Sequence, residues 1–379
     1  MKIALLDTYH PGFLNRFYSA HGGLAAESSS RQTQELIGGF FGTADFYSRH
    51  LNDLACSAVD LIGNCVPLQS AWAREHGLSV NSFALRIPYR LFQLPVIGQA
   101  LVAMRGIVDI AIEQIESLAP DVVYCQDIRF LLPEALARLR KRSRLIVGQI
   151  ACPLPSPAYI RGYDLILTSF PHFVDRIRAH GVASDYFRIG FDTSVLEALG
   201  TVEKDINASF VGGISRHHGK AVPMLEHMAR NTPMEFFGYG AESLPRDSAI
   251  RARHHGEVWG LDMYRALARS RITLNRHINV AENYANNMRL YEATGVGALL
   301  LTDRKDNLGE LFEVGKEVVA YSTAEEAAEL IHYYLAHPDE AQAIALAGQA
   351  RTLKEHTYRH RMKELVPLLD RYLQLAAAS

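Results

Sequence analysis

The stretch Leu274–Asp303, LNRHINVAENYANNMRLYEATGVGALLLTD, decides the fold. An apolar strand ending at Asn275 runs into a polar loop. Asn286 or Asn287 then stands where a helix needs a side-chain cap, and Gly295 and Gly297 close that helix before the apolar run Ala298–Thr302. The helix is expected to point its N-terminus into a ligand cleft. Its first-turn amides lack intrahelical partners and sit at the positive end of the helix dipole, so a diphosphate would be stabilised there. Arg289 and Glu292 are three apart and share one helix face. A guanidinium there suits phosphate oxygens, and a carboxylate accepts hydrogen bonds from vicinal ribose hydroxyls. The same pair also reads as a plain Arg–Glu ion pair on an amphipathic helix.

Working outward, short apolar runs recur between stretches of helical spacing, the pattern of stacked βα units with buried parallel strands. Strands are predicted at Lys2–Asp7, Ala58–Ile62, Val122–Gln126, Leu145–Gln149 and Leu165–Thr168 in the first half. In the second half they are predicted near Ala208–Gly212, Met234–Phe237, Gly256–Trp259, Ile272–Asn275, Ala298–Thr302 and Val318–Tyr321. Helices are predicted at Ser30–Phe41, Val102–Leu118 and Pro133–Lys141, and again at Ala324–Leu335, Glu340–Glu355 and Arg359–Ala376. Between the two series, Tyr186–Glu203 has no long apolar run, which marks the domain boundary. Two Rossmann-like αβα domains facing each other across a cleft is the fold class expected. The domains are residues 1–195, residues 205–355, and a C-terminal helical segment, 356–379.

Composition agrees with an ordinary folded enzyme or binder. A chain of 379 residues is long enough for two cores. With 39 Lys plus Arg against 41 Asp plus Glu there is no global basic field, which disfavours a nucleic-acid partner. The four cysteines form no CxxC pair and no zinc-finger spacing, so neither a disulfide framework nor a metal site is indicated and a reducing cytoplasmic setting is expected. The N-terminal apolar run, Ile3–Leu6, is shorter than the ~7 to 15 residues of a signal-peptide core. Leu91–Ile110 is the most membrane-like stretch, but Gln93, Pro95, Gln99, Arg105 and Asp109 interrupt it. No transmembrane segment is expected; peripheral membrane contact by that stretch is the alternative to a helix packed on a sheet.

The second domain opens with FVGGISRHHGK. Here a strand runs into Gly212 and Gly213, which permit close backbone approach, and Arg216 and Lys220 follow to neutralise charge on a departing diphosphate. It is neither a Walker loop, since Ala221 follows Lys220, nor a GxGxxG fingerprint. His277 ends the strand of the deciding stretch and can bond a sugar or phosphate, or simply pack. The pairs His217–His218 and His254–His255 lack the spacing of metal ligands, and no DxD motif stands at a strand end, so no metal is assigned. In the first domain Asp7–His10 and Gln126–Arg129 follow strands and are where chemistry is expected. Asp127 and His10 are the candidate catalytic bases. Each has a plainer reading, Asp127 as a helix cap and His10 as a backbone-bonding turn residue.

The segment Phe210–Tyr358 resembles the C-terminal domain of GT-B glycosyltransferases, and within them the group related to the spore maturation protein CgeB. The resemblance rests on FVGG, WGLDMYRALARSRITLNRH, NNMRLYEATG with ALLLTD, ELFEVGKEVVAY and GQARTLKEHTY, in that order. It implies a metal-independent hexosyltransferase with no cofactor, using a nucleoside diphosphate sugar as co-substrate and an acceptor that is a saccharide, peptide, lipid or small natural product. By the same resemblance Trp259 lies where the nucleobase binds, and Glu292 matches the second glutamate of the EX7E motif of retaining enzymes, which contacts the donor ribose. The first glutamate would fall at position 284, which is Tyr284. The implied donor site is thus Gly212, Gly213, Arg216, Lys220, Trp259, His277, Asn287, Arg289 and Glu292. A sugar-nucleotide epimerase of the same fold, and a non-catalytic sugar- or nucleotide-binding protein of a spore-coat or surface-polysaccharide pathway, are the alternatives.

Overall fold

The structure, a computed structural model, describes residues 1–78, 106–214 and 221–378. The chain forms two compact units, one of Met1–Phe187 with Met362–Ser379, the other Arg188–Arg361. Each is built on its own parallel sheet, as the recurring apolar runs require.

In the first unit the strands are β1 (Lys2–Asp7), β2 (Ser57–Ile62), β3 (Val122–Cys125), β4 (Leu145–Ile150), β5 (Leu165–Thr168) and β6 (Ala183–Tyr186). They lie in the order β2-β1-β3-β4-β5-β6, all parallel. Every residue of β3 and β5 is buried, which is why these read as unbroken apolar runs. The edge strand β6, ASDY, was not expected: an edge strand needs little apolar surface, and this one buries only Ser184 fully. The direction of strand addition reverses between β1 and β3, a switch point that opens a crevice outside their carboxyl ends. Asp185, on β6, accepts from Tyr372 Oη at 3.0 Å and also pairs with Arg371, which anchors the C-terminal helix Tyr358–Ala378 to this unit.

The second unit holds β7 (Ile206–Val211), β8 (Met234–Phe237), β9 (Ser270–Asn275), β10 (Leu299–Asp303) and β11 (Val319–Tyr321) in the order β11-β10-β9-β7-β8, again parallel. Here the order reverses between β7 and β9, so the ligand crevice is expected beyond Val211 and Asn275. Ala208, Ile272, Leu274, Leu299 and Leu301 form the sheet's part of the core, against Leu225, Met228 and Ile331 from helices.

One predicted strand is absent. Gly256–Trp259 has no strand structure; the chain runs beside β8 one step earlier, with Phe236 N donating to Arg253 O and Gly238 N to Gly256 O. Gly256 then turns at φ +91° and ends the pairing. The helix predicted from Val102 is described from Ile107 to Leu118. Most of the membrane-like stretch, 91–105, lies outside the described residues, and among the described residues no helix is long and apolar enough to cross a membrane.

The ends of the second unit meet. Phe191 N donates to His356 O and Tyr358 N to Phe191 O, each at 2.9 Å. A Cβ on Gly190 would lie 2.9 Å from the backbone of His356, Thr357 and Tyr358, so only glycine lets the two segments approach this closely. Arg361, fully buried, ties them further by donating to Ile189 O, Glu355 O and His356 Nδ1.

Candidate functional site

At the carboxyl end of β7, Gly212 and Gly213 lie in a closely packed stretch. Gly238, at φ +125°, lies so close that a Cβ there would sit 2.1 Å from Gly212 O. A Cβ on Gly213 would sit 2.6 Å from the ring of Tyr239. Tyr239 in turn stacks on Trp259, centroids 5.5 Å apart and planes within 7°. Trp259 Nε1 donates to Glu257 at 3.0 Å, and the residue heads the helix Gly260–Arg269. The half-buried Tyr239–Trp259 stack is an aromatic platform beside the glycine turn; the sequence reading had only its tryptophan. Arg216 and Lys220, and the pair His217–His218, lie outside the described residues.

The helix predicted in the deciding stretch runs from Met288 to Gly295, and of the two candidate caps it is Asn287 whose side chain accepts from Leu290 N, at 3.2 Å. Asn287 also exchanges amide hydrogen bonds with the buried Asn275, the last residue of β9. Asn275 Nδ2 reaches Thr302 on β10 as well, at 2.9 Å. The helix N-terminus is thereby pinned to the carboxyl ends of two central strands. Arg289 Nη1 lies 2.7 Å from Glu292 Oε2, so the pair expected from spacing exists, and Glu292 is 4% exposed. A buried pair of this kind is not the solvated ion pair of the plainer reading. Burial pushes the Glu292 carboxyl up, and Arg289 opposes that shift. Arg289 Nη1 is not aligned with the carboxylate for a hydrogen bond and has no other partner among the described residues.

His277, with a wholly buried side chain, stands two residues beyond β9. Its backbone N–H and its ring Nδ1 both meet Asp303 Oδ1, at 3.0 and 2.6 Å. Lys305 Nζ lies 3.3 Å from the other oxygen of Asp303 and donates to Glu282 O. Glu282 adopts φ +50°, a left-handed conformation rare outside glycine. Sequence reading missed Asp303 and Asn275 because both end apolar runs and look like strand termini; the signal available was their position at the carboxyl ends of parallel strands.

In the first unit the switch point carries Asp7, Thr8, His10 and Asp127. Thr8 Oγ1 donates to Asp127 Oδ2 at 2.9 Å, and Asp127 Oδ1 accepts from Arg129 N at 3.0 Å, capping a turn rather than a helix. His10 is the N-cap of the helix Pro11–Ala20, its Nδ1 accepting from Gly12 N at 3.1 Å. Asp7 ends β1 and opens the segment where chemistry was expected, although it was given no role of its own. Burial, with Asp127 and Asp60 adding to it against the Thr8 amide, pushes its carboxyl up to about 7.

Among the described residues no group of three or more His, Cys, Asp and Glu side chains could hold a metal ion. His254 and His255 are engaged separately, His254 Nε2 at 2.7 Å from Gly238 O and His255 against Glu235 at 3.0 Å.

The family described as glycosyl transferase-like matches residues 216–367, which includes the Asn287–Glu292 helix. No curated protein sequence compared with the chain matches it. Solved structures are similar over its whole length. HepE of Anabaena, in complex with UDP-glucose, shares 13% identity at a TM-score of 0.59, covering 98% of this chain and 100% of that one. The sucrose-phosphate synthase of Thermosynechococcus elongatus shares 11% identity at 0.56, covering 100% of both chains. AviGT4, a glycosyltransferase involved in avilamycin A biosynthesis, shares 16% at 0.55, covering 100% and 99%. Likeness at this level of identity shows the fold alone: two α/β domains of the GT-B kind.

Proposed function

We propose that this chain is a glycosyltransferase of the CgeB-like group that moves a hexosyl group from a nucleoside diphosphate sugar to an acceptor hydroxyl, in the cytoplasm and without a metal. The observation that carries the reading is the buried Arg289–Glu292 pair on the first turns of a helix pinned by Asn287 to the switch-point strand. Arg289 and the leading helix amides stabilise the diphosphate, and Glu292 accepts from the ribose hydroxyls. The Tyr239–Trp259 stack serves the base, and Gly212 and Gly213 admit the pyrophosphate, with Arg216 and Lys220 as further counter-charges. In the reaction the bond from the sugar's anomeric carbon to the β-phosphate oxygen breaks. The acceptor oxygen bonds that carbon, the nucleoside diphosphate leaves with the electron pair, and the acceptor's proton passes to a base. Asp127 and His10 in the first unit are the two candidates for that base.

The test is thermal stability of wild type and Glu292→Ala against UDP, GDP, dTDP and their sugar conjugates, without added metal. A ligand that binds only the native state raises the melting temperature. One nucleotide should stabilise the wild type, and Glu292→Ala should lose most of the shift; no stabilisation by any of them at millimolar concentration sinks the reading. Tyr284, where the motif's first glutamate would stand, favours one second reading, a binder that does not turn over. Nucleotide-sugar binding with no release of nucleoside diphosphate, across acceptor classes, would establish it.

A further inference from the structure

His277 is held by one carboxylate through two hydrogen bonds, from its own amide and from ring Nδ1. Burial works to raise the Asp303 carboxyl, but the hydrogen bonds from His277, together with Lys305, outweigh it and hold the group below the usual carboxylate range. An ionised carboxylate only accepts, so the proton between them belongs to Nδ1. In that tautomer Nε2 carries a lone pair. Nε2 is shut off from solvent and has no hydrogen-bond partner among the described residues. A buried acceptor left this way is destabilising, and a ligand's hydrogen bond would relieve it.

The charges nearby say what kind of ligand atom fits. Asp303 already faces Lys305, and Glu292 already faces Arg289. A lone pair is satisfied by an O–H and repels a phosphate oxygen. Of the donor's hydroxyls, those of the ribose are taken by Glu292 in the reading above, which leaves those of the sugar.

We propose that His277 Nε2 accepts a hydrogen bond from a hydroxyl of the transferred sugar, and that Asp303 is the positioning residue that fixes the ring and its tautomer. This rests on the second unit being the donor site. It makes the His277–Asp303 pair a determinant of which sugar is accepted, in a chain with Tyr284 in place of a carboxylate.

The experiment is calorimetric titration of wild type, His277→Asn, His277→Gln and Asp303→Asn with UDP, GDP and dTDP and with their glucose conjugates, followed by conjugates lacking one sugar hydroxyl at a time. His277→Asn should weaken the conjugate about tenfold while leaving the bare diphosphate within about twofold, the loss of one buried hydrogen bond. Unchanged diphosphate binding by the same variant shows that its fold is intact. His277→Gln, whose amide reaches the place of Nε2, should keep more of the affinity, and Asp303→Asn should lose it as His277→Asn does. One deoxy conjugate should bind the wild type about tenfold more weakly than its parent, yet bind His277→Asn as well as the parent does. Equal loss for the bare diphosphate would make His277 a phosphate ligand and overturn the proposal, as would no loss for either. If the wild type binds no diphosphate and no conjugate, the donor-site reading itself falls.

Discussion

The side-chain amides of Asn275 and Asn287 donate to each other, Asn287 Nδ2 to Asn275 Oδ1 at 2.9 Å and Asn275 Nδ2 to Asn287 Oδ1 at 3.3 Å. The first ends the strand beside the switch point and the second caps the helix that carries Arg289 and Glu292. Both amides lie two residues before a group assigned to the donor, His277 and Arg289. Asn287→Ala removes the cap and leaves a buried amide short of partners, and should cost about 1–3 kcal/mol in urea unfolding. Asn275→Ala should cost as much, and the double variant less than the sum, because each single change orphans the other's amide.

Gly238 and Gly213 both crowd the glycine turn, but against different neighbours. At Gly238 an added Cβ meets the Gly212 carbonyl at 2.1 Å in a left-handed backbone; at Gly213 it meets the end of the Tyr239 ring. A ring can swing and a carbonyl in a hydrogen-bonded turn cannot. Gly238→Ala should therefore cost about 3 kcal/mol or more and Gly213→Ala about half as much. A larger loss at Gly213 in denaturant unfolding would show that the Tyr239–Trp259 stack is rigid.

Asp7 makes stability fall as pH rises. Its folded carboxyl titrates at about 7 against an ordinary 3.8, so the folded state binds the extra proton between those values. The penalty is absent below about pH 4, grows through that window and is full above about pH 7. Asp7→Asn, which keeps an acceptor for the Thr8 amide, should be more stable than wild type at pH 8 by about 2–4 kcal/mol and little different at pH 4. Parallel denaturation curves at the two pH values check it.

His356 works in the opposite sense. Burial, helped by Arg361, Arg188 and Arg351 against the bond to Leu311 O, depresses its ring from 6.5 to about 4. The unfolded chain binds that proton first, so the stability present above about pH 6.5 is lost as pH falls towards 4. His356→Gln should flatten this acid limb by about 2–3 kcal/mol, whatever it costs at neutral pH. An unchanged slope between pH 6.5 and 4.5 would place the acid sensitivity elsewhere.

Arg361→Met keeps the stem in the core but strips the donors from Ile189 O, Glu355 O and His356 Nδ1. It should cost about 3–5 kcal/mol in unfolding, well beyond a surface arginine change.

What the sequence determined by itself was whatever depends on neighbours along the chain. Unbroken apolar runs such as Val122–Cys125 announce strands buried on both faces; Asn287, three residues before Leu290, announces a cap; Arg289 and Glu292 must share a face because a helix turns every 3.6 residues. Where periodicity was thin it failed, missing the polar edge strand β6 and placing a strand at Gly256–Trp259, where a glycine turns the chain away from β8. Only the tertiary structure decided which strand ends stand side by side. β9 lies against both β7 and β10, which brings His277 to Asp303 across 26 residues and Asn275 to Thr302 across 27. The burial that shifts the carboxyls of Asp7 and Glu292 up and the ring of His356 down is likewise a property of the packed layers, since desolvation comes from atoms that folding brings together from distant parts of the chain.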